Sequence, residues 1–277
     1  MSGHRLARLV TASGLCLTAS GGLIILWRHF APTLRNLTYF TGWALLAVML
    51  FLTLYNARKK LPFLPLGRSG TWLQLHAYVG YFSAVLFLAH LSWRPPGGWF
   101  GATLAALYVA VAGSGILGLW WSRRVPRRLT DGGGEVLFER IPVIRRELQT
   151  RAEALALRSV QAGGTMAIAE FYRLHLADFF RASRNLVAHL SGLSEPANAW
   201  RGRLEDLGRF LTPDQNQQLR ELSDLVRQKD GLDRQYALQW SLKAWLFVHV
   251  PLTYSLLLAT GLHIILVHGF SLGAGFR

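Results

Sequence analysis

Acidic residues are missing from most of this chain. All fifteen Asp and Glu residues of the 277-residue sequence fall between Asp131 and Asp233, so residues 1–122 and 241–277 carry none. Carboxylates are expensive to hold in lipid, and the chain is 51% hydrophobic, which is too apolar for an ordinary soluble domain. Cysteine is scarcer still. Cys16 stands alone, which excludes disulfides, cysteine-ligated iron-sulfur clusters and a Cys-x-x-Cys-His attachment motif. The acid-free stretches mark membrane segments at 1–122 and 241–277, and the acidic interval marks a water-exposed domain at 123–240.

What the chain does have is apolar runs of membrane-crossing length. Five are present: Leu6 to Trp27, Thr38 to Tyr55, Trp72 to Trp93, Trp99 to Trp121 and Ala244 to His268. Trp27, Trp72, Trp93, Trp99, Trp120, Trp121 and Trp245 fall at or near their ends, where aromatic rings sit at the headgroup level. The first run, preceded by Arg5 and Arg8 and with small residues around Ser20, also has features of a secretory signal; we read it as a retained helix. The expected fold is all-α: five transmembrane helices in a cofactor-binding bundle, with a helical domain inserted between the fourth and fifth.

Basic residues predict the orientation. Arg58, Lys59, Lys60 and Arg68 lie between spans two and three, and Arg123, Arg124, Arg127 and Arg128 follow span four. Both clusters are expected on the cytoplasmic face of a bacterial inner membrane, with the N-terminus and the domain 123–240 inside and the C-terminus outside. The opposite loops hold only Arg28, Arg35 and Arg94, with Arg277 at the end. The formal charge of +15 is thereby a matter of topology and lipid contact, and nucleic-acid binding, the usual reading of so basic a chain, is not expected.

In the domain, Gly132 to Gly134 predict a turn, and Glu135 to Ile144, containing Pro142, a short strand or extended link. A helix to about Val160 follows, broken by Gly163 and Gly164, and then an amphipathic helix from Phe171 to Leu190. Thr212, Pro213, Asp214 and Gln215 form a helix-start signature of N-cap, first-turn proline and capping-box glutamine. From Leu232 the helical pattern continues into span five, coupling domain and span mechanically, with a kink expected at Pro251. The domain shows no glycine-rich nucleotide loop, no metal cluster and no nucleophile-base arrangement. Docking of a partner and a solvated helical cap fit it equally.

Histidine carries the chemistry. His76 and His90 lie fourteen residues apart in span three, and His249 and His263 lie fourteen apart in span five. Fourteen helical residues turn about 1400° and rise about 21 Å, so each pair shares one face at two levels. For nine histidines placed at random, about 0.3 pairs are expected at any one separation. Three occur, the third being His175 and His189; their segment also carries Arg173, Asp178, Arg181 and Arg184, and they read as surface or packing residues. Ionisable side chains at membrane depth are costly and functional, and imidazole is an axial ligand of haem iron. Spans three and five run parallel in the predicted topology, so His76 is level with His249 and His90 with His263. Two bis-histidine b-type haems follow, with His76/His249 near the cytoplasm and His90/His263 near the outer face.

Other residues supplement these ligands. Gly101 and Gly115 in span four, also fourteen apart, would let a helix backbone approach a flat macrocycle or simply aid helix packing; Gly14 and Gly42 would do the same without forming a matching pair. Arg68, with Arg58, Lys59 and Lys60, would neutralise propionates of the inner haem and Arg94 those of the outer, or else anchor helices in lipid. His268 is placed to meet a propionate, a quinone or nothing.

The pattern His76-x13-His90 and His249-x13-His263 resembles the haem-binding membrane domain of ferric reductases and NADPH oxidases. It is also similar to the cytochrome b subunits of quinol-oxidising complexes. The resemblance covers the membrane spans, about half the chain, and carries over the four histidines. After His268 this sequence has no counterpart of a sixth span or of flavin and nicotinamide domains. It lacks a Pro-Glu-Trp-Tyr quinol motif and any membrane carboxylate. The resemblance implies a transmembrane electron-transfer subunit, without substrate chemistry of its own, working with a quinone pool or a redox partner: a flavoprotein, an iron-sulfur protein or a c-type cytochrome. A ferric-reductase-like subunit fed by a separate flavoprotein and a haem-free receptor or scaffold are the alternatives.

Overall fold

A computed structural model describes residues 3–30, 37–60, 69–130, 136–161, 166–191 and 195–273. Ten α-helices are described: α1 Gly3–Phe30, α2 Leu37–Lys60, α3 Ser69–His90, α4 Gly98–Thr130, α5 Ile141–Gln161, α6 Ala167–Phe171, α7 Ala177–Arg181, α8 Leu186–Ser191, α9 Glu195–Gly208 and α10 Pro213–Gly273. A 3-10 turn at Phe138–Arg140 leads into α5, and a π-helical turn at Tyr172–Leu176 separates α6 from α7. There is no strand among the described residues. The chain divides into two compact units: Met1–Leu119 with Trp245–Arg277, and Trp120–Ala244.

The first unit is built of helices α1, α2, α3, most of α4 and the end of α10. Five helices are long and apolar enough to cross a membrane, over Val10–Phe30, Leu37–Tyr55, Gly70–His90, Gly98–Val125 and within Pro213–Gly269. Its buried core is small: Leu45, Met49, Leu86, Tyr108 and Leu256, with Leu23, Phe82, Phe87 and Leu104 packed against them. The periphery is as apolar as the core, for Phe247 is 80% and Leu258 77% exposed. A helix apolar on every side is suited to lipid, whereas exposed surface of this kind is uncommon in a water-soluble monomer.

Hydrogen bonds tie these helices in pairs. The Cys16 thiol donates to the Tyr78 carbonyl at 3.6 Å, and Ser13 Oγ lies 3.1 Å from Tyr78 Oη, joining α1 to α3. The Ser83 hydroxyl donates to the Gly80 carbonyl at 2.7 Å, so the Tyr108 hydroxyl, 2.8 Å away, donates to Ser83 and joins α4 to α3. The Tyr108 ring also stacks on Phe87 with centroids 4.0 Å apart. Helix α3 stops at His90, short of the expected Trp93, through a left-handed cap. Trp93 N–H donates to Leu88 O and Ser92 N–H to Ala89 O, the Schellman pattern. Ser92 and Trp93 have φ of 53° and 59°, positions that favour glycine. Their side chains are used, however: Ser92 Oγ lies 3.4 Å from Thr38 Oγ1, and Trp93 packs edge-on to Trp27.

The second unit packs α5, α6, α7, α9 and the start of α10 around Ile141, Leu148, Leu155, Ile168, Leu176, Phe180 and Leu222. Two sequence expectations are corrected here. The strand or extended link expected at Glu135 to Ile144 is extended only near Val136, whose backbone N–H and C=O are taken up by Gln235 and Gln239; α5 then starts at Ile141, because Pro142 in a first helical turn forfeits no hydrogen bond. The single helix expected from Phe171 to Leu190 is broken, with Ala182 extended and Asn185 at φ 59°, so His175 and His189 share no helix. Gly132 to Gly134, Gly163 and Gly164 lie outside the described residues. The capping box at α10 is present: Thr212 N–H donates to Gln215 Oε1 at 3.0 Å. From there α10 is one helix to Gly273, with Pro251 inside it.

The break at Ala182 coincides with a buried ion pair. Lys229 and Asp233, both fully buried, are bonded to each other. Lys229 also donates to the Ala182 carbonyl at 2.7 Å, and Arg184 N–H donates to Asp233 at 3.2 Å. Burial pushes the Lys229 ammonium below its usual range despite Asp233, and pushes the neighbouring Asp230 carboxyl up. Removing one partner of such a pair strands the other charge, at about 3–5 kcal/mol. Asp233→Asn is therefore expected to lower the thermal unfolding temperature of the purified chain sharply, whereas the combined Lys229→Met and Asp233→Leu change recovers most of the loss.

Candidate functional site

Helix α3 carries His76 and His90, and α10 carries His249 and His263, each pair about 21 Å apart along its axis. All four rings are half-buried. His90 lies beside His263, with ring centroids 6.4 Å apart and planes at 88°. That neighbourhood is one of the two expected of parallel spans.

Three of the rings are oriented by a hydrogen bond at Nδ1. His90 Nδ1 lies 3.0 Å from the Thr38 carbonyl and His76 Nδ1 3.1 Å from the Leu52 carbonyl, both on α2. A carbonyl only accepts, so each ring carries a proton on Nδ1. For His249 the partner is Ser114 Oγ at 2.7 Å. That hydroxyl already donates to the Val111 carbonyl at 2.8 Å, so it accepts from His249 Nδ1–H. A metal-bound histidine almost always has its second nitrogen held like this. His263 is positioned instead by ring packing, stacked on Phe100 at 6.3 Å.

The spacing of the outer pair suits one metal ion between two imidazoles. An imidazole nitrogen binds a transition metal at about 2.0–2.1 Å and its ring centroid lies about 1.1 Å behind it, so two axial rings have centroids roughly 6.3 Å apart. A cavity of about 350 Å³ opens around His90 and His263. Its walls are Leu45, Leu46, Met49, Phe87, Leu104, Leu256, Ile264 and Val267, with Thr38, Tyr39, Trp43 and His268 also lining it. Apolar walls with a few convergent polar groups are the usual make-up of a cofactor pocket, and the volume is at the lower end of that class. The donor set and this cavity fit a haem.

Two glycines let side chains reach these positions. A Cβ on Gly42 would sit 2.9 Å from His90 Cε1, and one on Gly118 would overlap the Trp245 indole. Trp245 stacks on His249 at 5.2 Å, and its indole N–H donates to the Ser114 carbonyl at 2.8 Å. Of the glycines expected from sequence, Gly115 faces His249, where a Cβ would be 3.6 Å from Cε1, and Gly101 faces Pro96. Arg94 is exposed and does not line the cavity. Arg68 and the side chains of Arg58, Lys59 and Lys60 lie outside the described residues. Among the described residues no group of three or more His, Cys, Asp or Glu is placed to hold a metal. His175 packs on Phe171, and His189 is buried with Nε2 3.6 Å from Asp230 Oδ1.

Sequence reasoning missed Ser114, Trp245 and Gly118, and it noted Gly42 without a partner. The neighbouring Ser114 and Gly115, four helical turns below Gly101, held the one available signal. The Thr38 and Leu52 carbonyls leave no trace in sequence, because any residue supplies one. No family model, curated protein or solved structure matches the chain.

Gly42→Ala is expected to displace the His90 ring, and Gly118→Ala to displace Trp245 and with it His249. Each should destabilise the purified protein in detergent by about 1–3 kcal/mol, the usual scale of overpacking. Gly80→Ala, with nothing within 4 Å of the added methyl, serves as the neutral control in the same unfolding measurement.

Proposed function

We propose that this chain is a membrane cytochrome of b type that carries electrons between two haems, one held by His76 and His249 and the other by His90 and His263. The observation that carries the reading is the arrangement of the imidazoles: Nδ1 engaged on His76, His90 and His249, and the His90 ring centroid 6.4 Å from that of His263. Haem supplies reversible one-electron chemistry and the protein supplies ligands and position. Thr38, Leu52 and Ser114 fix the tautomer and hold the rings in place, which raises the basicity of the ligating nitrogens. The apolar walls keep water from the site, and Gly42 and Gly115 leave room beside the ligands.

The basic loops support a topology with residues 123–240 and the N-terminus in the cytoplasm and the C-terminus outside. In that frame His76 and His249 lie on the inner side and His90 and His263 on the outer. Electrons would pass across the membrane to or from a quinone pool or a partner such as a flavoprotein, an iron-sulfur protein or a c-type cytochrome. The chain contributes conduction and no bond-making chemistry of its own.

Reduced-minus-oxidised visible spectra of the purified chain test this directly. Low-spin haem bands at two haems per chain are expected. His90→Ala should remove about half the haem and leave the remainder spectrally intact, and His76→Ala should remove the complementary half. A protein purified without haem, or one that keeps both haems in all four single histidine variants, would overturn the assignment.

A further inference from the structure

The cavity at His90 and His263 has one polar end. Among its lining groups, His90 Nδ1 bonds to the Thr38 carbonyl, Thr260 Oγ to the Leu256 carbonyl at 2.8 Å, and Tyr108 to Ser83. Tyr39, Trp43 and His268 form a separate aromatic cluster on the same cavity. The His268 ring lies 5.8 Å from Tyr39 at 81° and 6.2 Å from Trp43 at 54°. Each of these three rings carries a polar N–H or O–H group on an otherwise apolar body. Among the described residues no Arg or Lys lines the cavity.

Their position along the helices matters as much as their chemistry. His90 is on α3 and His263 on α10, so a line from one ring to the other runs across the helix axes. A flat group held face-on between these rings therefore has its plane along the helix axes, with one edge toward the helix ends and the other toward the middle of the unit. The middle is the buried cluster of Leu45, Met49, Leu86, Tyr108 and Leu256, where a carboxylate would be left without a partner. The other edge meets Tyr39, close to the start of α2, and His268, five residues beyond His263 and close to the end of α10.

From this arrangement, and resting on the haem reading above, we propose that His268, with Tyr39 and Trp43, receives the acidic propionate edge of the haem held by His90 and His263. His268 supplies the one nitrogen base of the cluster able to become a cation, and the Tyr39 hydroxyl and Trp43 indole N–H supply further donors. His268 is a positioning residue: it does not bind the iron but fixes which way round the haem sits and how firmly it is retained. Arg94, expected from sequence to fill this role, is outside the cavity lining.

The test is haem retention in the purified full-length chain in detergent, followed by visible absorbance as excess apomyoglobin takes up released haem. His268→Phe keeps a ring against Tyr39 and Trp43 but removes the nitrogens. It should speed loss of one of the two haems by about tenfold or more, the equivalent of one hydrogen bond to a charged group, and leave the other unchanged. His268→Arg should restore slow release, which packing alone would not do, and Tyr39→Phe should give a smaller acceleration of the same haem. Release from His268→Phe equal to wild type would overturn this proposal while leaving the two-haem assignment standing. Failure of His268→Arg to restore slow release would overturn it too, by showing that the ring's shape is what matters. A wild-type chain that binds no haem would overturn both.

Discussion

A histidine ring in hydrocarbon has two nitrogens and no water for either. Each must find a partner or leave a polar atom unpaired at a cost of a few kcal/mol. Three rings satisfy one nitrogen with a fixed acceptor: Thr38 O, Leu52 O and Ser114 Oγ. Helices α2, α3, α4 and α10 therefore cannot slide independently, since a shift of one residue in α2 would carry the Thr38 and Leu52 carbonyls off both rings of α3 together.

The middle of the unit is arranged around the same register. Ser83 lies seven residues from His76 and from His90, Leu256 seven from His249 and from His263, and Tyr108 seven from Gly101 and from Gly115. Seven residues are about two helical turns, or 10.5 Å, and nearly repeat the face. These midpoints meet: Tyr108 and Leu256 belong to one buried cluster, and Tyr108 donates to Ser83. Buried side chains thus occupy the level between the two histidine pairs.

The parts legible in the sequence are those set by local chemistry and periodicity. Apolar length and aromatic ends gave the first three spans to within about five residues of their helices, whereas α4 runs on to Thr130 and α10 begins at Pro213, and the Thr212 capping box was readable because its partners are three residues apart. The histidine pairings were readable because the 14-residue spacing nearly closes four turns. Tertiary effects were not. Lys229 and Asp233 look like an ordinary exposed i, i+4 pair, yet both are fully buried, with Phe179 and the Ala182 turn against Lys229. The same turn divides what the charge pattern of Arg173, Asp178, Arg181 and Arg184 presented as one amphipathic helix. The Ser92–Trp93 cap was invisible for a similar reason: a left-handed pair without glycine is favoured only by Thr38 and Trp27 across the unit.

Glycine shows where spacing arguments stop. The repeat of Gly101 and Gly115 matched the histidine spacing, and yet the tight contacts are at Gly42 against His90 and Gly118 against Trp245. Spacing along one helix reports depth, but a close approach depends on what the opposing helix carries at that depth. At the level of His249 the opposing group includes a large indole, and it fits because its N–H has the Ser114 carbonyl to bond and its face has the imidazole to stack on. Ser114 thus serves twice, with its side chain orienting the histidine and its carbonyl holding the tryptophan. One small polar residue beside Gly115 and close to Gly118 lets two large rings share the narrow space between α4 and α10. His249 is built into that contact, so its orientation depends on how the two helices pack and not on the histidine alone.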